Sequence, residues 1–142
     1  MLKKIPKNLS PELLKVLMEM GHGDEIVIAD GNFPAASHAK NLVRCDGLSV
    51  PELLESILEL LPLDTYVEEA VALMGVVSGD DVKPVIWEKY QDIIANLQAE
   101  NQKAAHVERF EFYERSKKAY AIVATGEEAL YANIILRKGV VK

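Results

Sequence analysis

At 142 residues, 49% of them apolar and 6% aromatic, the chain is sized for one aliphatic core and not two. A formal charge of -6 with no basic stripe excludes a nucleic-acid partner, which calls for a cationic face that displaces counterions. The lone cysteine, Cys45, excludes an internal disulfide, no apolar run reaches bilayer length, and the start Met-Leu-Lys-Lys-Ile-Pro lacks a signal core, so a cytoplasmic protein without membrane contact is expected.

Ser10-Pro11-Glu12 has the chemistry of a helix start: a capping hydroxyl, proline at the first helical position, and an acid near the positive dipole end. Leu13, Leu14, Leu17, Met18 and Met20 form an apolar stripe that Gly21 stops. The run from Ile26 to Ala29 then reads as a short buried strand with His22 before it and Asp30 closing it. Gly21 and Gly23 would let the imidazole stand in a cleft. The same spacing suits a capping histidine and a loop aspartate.

Gly31-Asn32-Phe33-Pro34 is a turn signal, followed by a short helix-compatible piece from Ala35 to Lys40 and a strand from Leu42 to Cys45. Ser49-Val50-Pro51-Glu52 repeats the helix-start pattern and Pro62 ends it. Ala70 to Val77 reads as a second interior strand, and Pro84 to about Gln98 recurs at helical spacing before the polar run 99–103, a loop or frayed helix end. A short strand over 106–108 leads into 109–118, where Phe110 and Phe112 alternate as in a strand. There Glu111, Glu114, Arg115 and Lys118 sit at helical offsets, which favours a helix. Ala119–Thr125 and Asn133–Leu136 complete the strands. The alternation predicts a three-layer α/β/α domain with a mainly parallel (mixed) central sheet, spanning 1–142 without an internal boundary.

Ligands of such sheets sit at the carboxyl ends of the strands. No phosphate-binding glycine loop, metal-ligand spacing or nucleophilic serine elbow is present in the sequence, and Cys45 reads as a small core residue. Acid–base chemistry without a cofactor remains, and histidine is the side chain suited to it near neutral pH.

Taken in order, Ser10-Pro11-Glu12-Leu13-Leu14, Met20-Gly21-His22-Gly23-Asp24, Asp30, Phe33-Pro34-Ala35, Arg44-Cys45-Asp46-Gly47, Arg109 with Phe112-Tyr113, Thr125-Gly126-Glu127, Tyr131-Ala132-Asn133 and Lys138-Gly139-Val140 resemble the ribose pyranase and fucose mutarotase family nearly end to end. Gly-His-Gly-Asp, Phe-Pro-Ala and Arg-Cys-Asp-Gly are more similar to its L-fucose branch. The resemblance implies interconversion of α and β anomers of a free monosaccharide by ring opening and closure, with neither cofactor nor metal. It implies His22 as the acid/base, Asp30, Arg109, Tyr131 and Asn133 as sugar-binding groups, and a ring-shaped homo-oligomer, commonly a decamer, with sites at subunit contacts. Pyranose–furanose exchange on ribose and a non-catalytic sugar-binding subunit of an uptake system are the alternatives. Ala132 departs from the glycine usual in the family, which would cost about 1 kcal/mol if the position required positive φ.

Overall fold

The computed structural model describes residues 1–98 and 100–142; Ala99, the first residue of the expected polar loop, lies outside the described residues. Among the described residues eleven elements follow one another: α1 (Pro11–Glu19), β1 (Glu25–Ala29), α2 (Ala35–His38), β2 (Leu42–Cys45), α3 (Val50–Leu58), β3 (Val71–Met74), α4 (Ile86–Leu97), β4 (Ala104–Val107), α5 (Arg109–Lys118), β5 (Ala121–Thr125) and β6 (Ile134–Arg137). The helix starts form for the reasons legible in their residues. Ser10 accepts the Leu13 N–H at 3.1 Å, and Ser49 with Glu52 closes a reciprocal capping box over α3. Glu108 caps α5 by accepting the N–H groups of Phe110 and Glu111.

The six strands form one sheet in the order β2-β5-β1-β6-β3-β4. β1, β2 and β5 pair in parallel, as do β3 and β4, while β6 runs antiparallel to both β1 and β3. Five strands therefore share one direction and β6 opposes them. Because side chains alternate along a strand, each face has its own core. Ile26, Ile28, Val123, Leu73 and Ile134 face α1, α3 and α4, whereas Val27, Ala29, Ile122, Ala72 and Ile135 face Phe112 of α5 and Phe33 and Ala35 beside α2. The result is the expected three-layer α/β/α sandwich.

Several boundaries differ from expectation: the short strand expected over 106–108 is found at Ala104–Val107, with Glu108 serving instead as the cap of α5, and three more differ for local reasons. The run expected to remain a strand through Val77 ends at Met74, where both neighbours give out: β6 offers no partner beyond Ile134, which pairs with Leu73, and β4 ends at Val107, which pairs with Met74 before Glu108 caps α5. Ala119 is not strand but the end of α5, its N–H donating to the Arg115 and Ser116 carbonyls. Asn133 precedes β6, since its side chain serves the chain opposite, as described below. The turn before β6 hangs on α4: the Tyr90 hydroxyl, 1% exposed, donates to the Ala132 carbonyl at 2.7 Å.

Tyr90→Phe leaves that buried carbonyl unpaired, and urea unfolding should register a loss of about 1–3 kcal/mol.

Candidate active site

The single reversed strand determines what meets at the sheet's ends. Where β1, β3, β4 and β5 finish, β6 begins, so the segment entering β6 lies against the carboxyl end of β1. Asp30 stands there, 8% exposed. Its N–H donates to Asn133 Oδ1 at 2.7 Å, and its Oδ1 accepts the Asn32 N–H at 3.0 Å. Burial pushes the Asp30 carboxyl above its ordinary range, against the opposing pull of the Asn32, Phe33 and Ala132 amides and the Asn133 side chain.

Tyr131 is the residue of this turn in the left-handed region, at φ 56°. Ala132 is buried and does not have positive φ, so the penalty expected for an alanine there does not arise. The strain sits one residue earlier and costs about 1–2 kcal/mol, offset by a set of fixed contacts. Trp87 Nε1–H donates to the Tyr131 carbonyl at 2.8 Å, the Tyr131 hydroxyl donates to Asp80 Oδ2 at 2.5 Å, and the Val77 N–H donates to that hydroxyl at 3.4 Å. The Asp80 contact, with desolvation adding to it, pushes the Tyr131 phenol up and keeps it a hydrogen-bond donor.

Arg109, the first residue of α5, completes the group. It is solvent-exposed, its Nε–H donates to the Tyr113 hydroxyl at 3.2 Å, and its guanidinium lies over the Phe110 and Tyr113 rings at 5.4 and 5.5 Å. Asp30, Arg109, Tyr131 and Asn133 line one cavity of about 220 Å³, with Phe33 and Met74 as apolar walls. That is below the roughly 300–1,000 Å³ of sites that enclose drug-sized ligands, and it suits one small ring bearing hydroxyls. A carboxylate, a guanidinium, a phenol and an amide supply donors and acceptors in fixed directions.

His22 is not among the lining residues. It stands before the amino end of β1, and the five residues of that strand alone separate it from Asp30 by about 17 Å. Its ring is half exposed, tilted against the Tyr66 ring at 5.4 Å between centroids. Nε2 lies 3.0 Å from Asp64 Oδ1, and Arg137 at the end of β6 donates its Nε–H to Asp64 Oδ2 at 3.0 Å. Arg137 Nη1 is 3.8 Å from Glu25, which also holds Arg115 at 2.8 Å. Gly23 is favoured here by its φ of 88°, and a Cβ would also sit tightly, 3.2 Å from the Arg137 guanidinium.

Of the five residues singled out in the sequence, four share the cavity and His22 is at the opposite rim. Sequence reasoning missed Asp64, Arg137, Asp80 and Trp87. Asp64 is an isolated acid between Leu63 and Thr65, 42 positions from His22, and no periodicity links the two. Arg137 carried a weak signal as the one charge ending an apolar strand.

Five parallel strands and one reversed, with a polar cavity at the switch between them, define an α/β protein built to hold a small polar ligand. The chain belongs to the RbsD / FucU transport protein family, which it matches over residues 3–141. It is 56% identical to a fucose mutarotase of Mus musculus, over 97% of this chain and 94% of that protein. It is 51% identical to an L-fucose mutarotase of Actinobacillus pleuropneumoniae, over 99% and 97%. Among solved structures, the fucose mutarotase from Streptococcus pneumoniae in complex with L-fucose superimposes with a TM-score of 0.95 at 62% identity, covering 99% of this chain and 100% of that one.

The direction of the Asp30 shift has a stability consequence. A carboxyl whose folded pKa lies above its unfolded value stabilises the fold only at low pH, and that contribution is lost as pH rises through the folded pKa. Asp30→Asn should therefore raise or hold the melting temperature at neutral pH, by calorimetry, while weakening ligand binding.

Proposed function

We propose that this protein interconverts the α and β anomers of L-fucose, an isomerase reaction that opens and recloses the pyranose ring without a cofactor. The observation that carries the reading is the convergence of Asp30, Arg109, Tyr131 and Asn133 on one sugar-sized cavity, in a chain 62% identical over 99% of its length to a mutarotase crystallised with L-fucose. Ring opening requires that the ring oxygen gain a proton while the anomeric hydroxyl loses one, and closure reverses both transfers. The binding groups have only to hold the hydroxyls and the ring in one orientation, because directed hydrogen bonds to a polyol leave the anomeric carbon poised. A positioned acid/base adds on the order of 10²–10⁴-fold, which is enough for a reaction already measurable in water.

His22 is the proton-transfer group in this reading. A strand's length from the cavity of its own chain, it acts on the sugar held by a neighbouring copy. Such a contact is head-to-tail, pairing the amino rim of one subunit with the carboxyl rim of the next, and repeated contacts of this kind close into a ring. This agrees with the decamer that the family resemblance implies. Both rims carry the exposed apolar side chains that an interface uses: Tyr66, 70% exposed, beside His22, and Phe110 and Leu130, 66% and 54% exposed, near the cavity. A cytoplasmic setting is part of the same proposal, and the free thiol of Cys45 suits a reducing compartment; among the described residues no helix is long and apolar enough to cross a membrane.

Saturation-transfer NMR on L-fucose tests the reading. The protein should speed α/β exchange, with L-fucose preferred over D-ribose, and His22→Ala should return the rate to the level of buffer while the melting temperature is preserved. Thermal stabilisation by L-fucose with no acceleration of exchange would mark a binding protein instead, and preference for ribose a pyranase.

A further inference from the structure

We propose that Asp80 is a positioning residue that sets the polarity of the cavity: it takes the single hydrogen of the Tyr131 phenol, so that Tyr131 meets the ligand as a hydrogen-bond acceptor and selects a sugar presenting a free hydroxyl there. The inference rests on the reading of the cavity as a monosaccharide site and specifies which way one of its hydrogen bonds runs.

Both residues line the cavity. The turn that carries Asp80 is closed by its own residues: Gly79 takes φ 90°, and the Asp80 N–H donates to the Val77 carbonyl at 3.0 Å. The two ends of that turn meet at one atom. The Val77 N–H donates to the Tyr131 hydroxyl at 3.4 Å, and the hydroxyl donates to Asp80 Oδ2 at 2.5 Å. Asp80 Oδ1 accepts the Val82 N–H at 3.0 Å, which fixes the orientation of the carboxylate. The Tyr131 and Val82 contacts together hold the Asp80 carboxyl below its ordinary range. An ionised carboxylate has no hydrogen to give, so the one between the two oxygens belongs to the phenol and points at Asp80. Only the lone pairs of the phenol oxygen remain to face a ligand.

Acceptors are what this cavity otherwise lacks. Arg109 can only donate, and the Asn133 oxygen already accepts the Asp30 N–H, which leaves its NH2 group. The wall's other carboxylate, Asp30, already accepts the Asn32 N–H. Donors alone treat a hydroxyl, an ether oxygen and a fluorine alike. Recognition of a hydroxyl's hydrogen needs an acceptor, and a carboxylate behind the phenol strengthens its oxygen in that role through the chain of hydrogen bonds. The Asp80 contact, with desolvation adding to it, pushes the phenol up against the pull of the Val77 amide and the Arg109 charge, so the hydrogen stays on the tyrosine oxygen. The backbone beneath the ring is fixed as well, because Trp87 Nε1–H holds the Tyr131 carbonyl at 2.8 Å. Asp80 therefore acts on the ligand through Tyr131, and its effect is to choose between hydroxyl and non-hydroxyl substituents at one ring position.

The test is an NMR titration of the intact protein with L-fucose and its 2-, 3- and 4-deoxyfluoro analogues, because fluorine replaces a hydroxyl at little cost in size but cannot donate. At one position the substitution should weaken Kd roughly tenfold in the parent protein, the worth of one hydrogen bond. Tyr131→Phe should erase that penalty. In Asp80→Asn the amide oxygen stays with the Val82 N–H and the NH2 group turns to Tyr131, so the phenol hydrogen swings into the cavity. The same penalty should then vanish while those at the other positions stand. A uniform loss of affinity across the panel, as a loop that merely came loose would give, overturns the proposal, and so does a panel unchanged in Asp80→Asn. A carbon-13 label at Cζ of the five tyrosines, with Tyr131 assigned by the signal missing from Tyr131→Phe, reads the contact without ligand. The phenol should titrate above the ordinary tyrosine range and move down in Asp80→Asn; a titration that the substitution does not move also overturns the proposal. A parent protein that binds none of the four sugars would overturn the reading of the cavity itself, whereas binding with selectivity indifferent to Asp80 overturns this inference alone.

Discussion

β1 and β6 run antiparallel, and nearly every group of the site depends on that pairing. At one end it brings Asp30 beside Asn133; at the other it pairs Glu25 with Arg137 and so delivers the guanidinium to Asp64, the partner of His22. A β-strand is a stiff spacer of about 3.3 Å per residue. The cavity rim and the histidine rim are consequently held apart by a distance that no side-chain rotation can span within one chain. On the proposed reading, the strands that hold the two rims rigid also make each of them half of a site.

Each half-site carries energetic costs that its surroundings offset. Asp30 is buried with its carboxyl raised above the usual range, Tyr131 takes a left-handed backbone conformation, and Asp64 is a buried acid. The compensation is local. Amides and Asn133 hold Asp30, while Trp87 and Tyr90 of α4 pin the carbonyls of Tyr131 and Ala132. Arg137 and the Tyr66 amide neutralise and orient Asp64. α4 and the loop before β3 thus support the two rims from outside the cavity, and the two aliphatic cores on either side of the sheet absorb the remaining cost.

Much of the fold was legible because the punctuation is chemical. Ser10 and Ser49 cap the helices they announce, and β2 runs from Leu42 to Cys45 because Asn41 and Asp46-Gly47 bracket it. The extent of β3 was not legible, since it depends on where its two neighbours, the parallel β4 and the antiparallel β6, give out. The family resemblance picked out Asp30, Arg109, Tyr131 and Asn133, which the fold then gathers into one cavity. The partnership of His22 with Asp64 could not be read, because it is made by a β-bridge between Leu63 and Lys138 and not by any spacing along the chain. Ala132 shows the same limit: the motif suggested strain at the alanine, and the backbone places it at Tyr131.

On the proposed reading the site is divided between the two ends of one strand and completed by a second copy, and subunit complementation measures this most directly. His22→Ala and Asp30→Asn, each inactive alone, would be co-expressed with distinct tags and the mixed assembly purified for the fucose exchange assay. With random mixing, about a quarter of head-to-tail interfaces unite an intact histidine rim with an intact cavity, and the mixed protein should regain about that fraction of the parent rate. A mixed assembly as inactive as its two components would contradict the account.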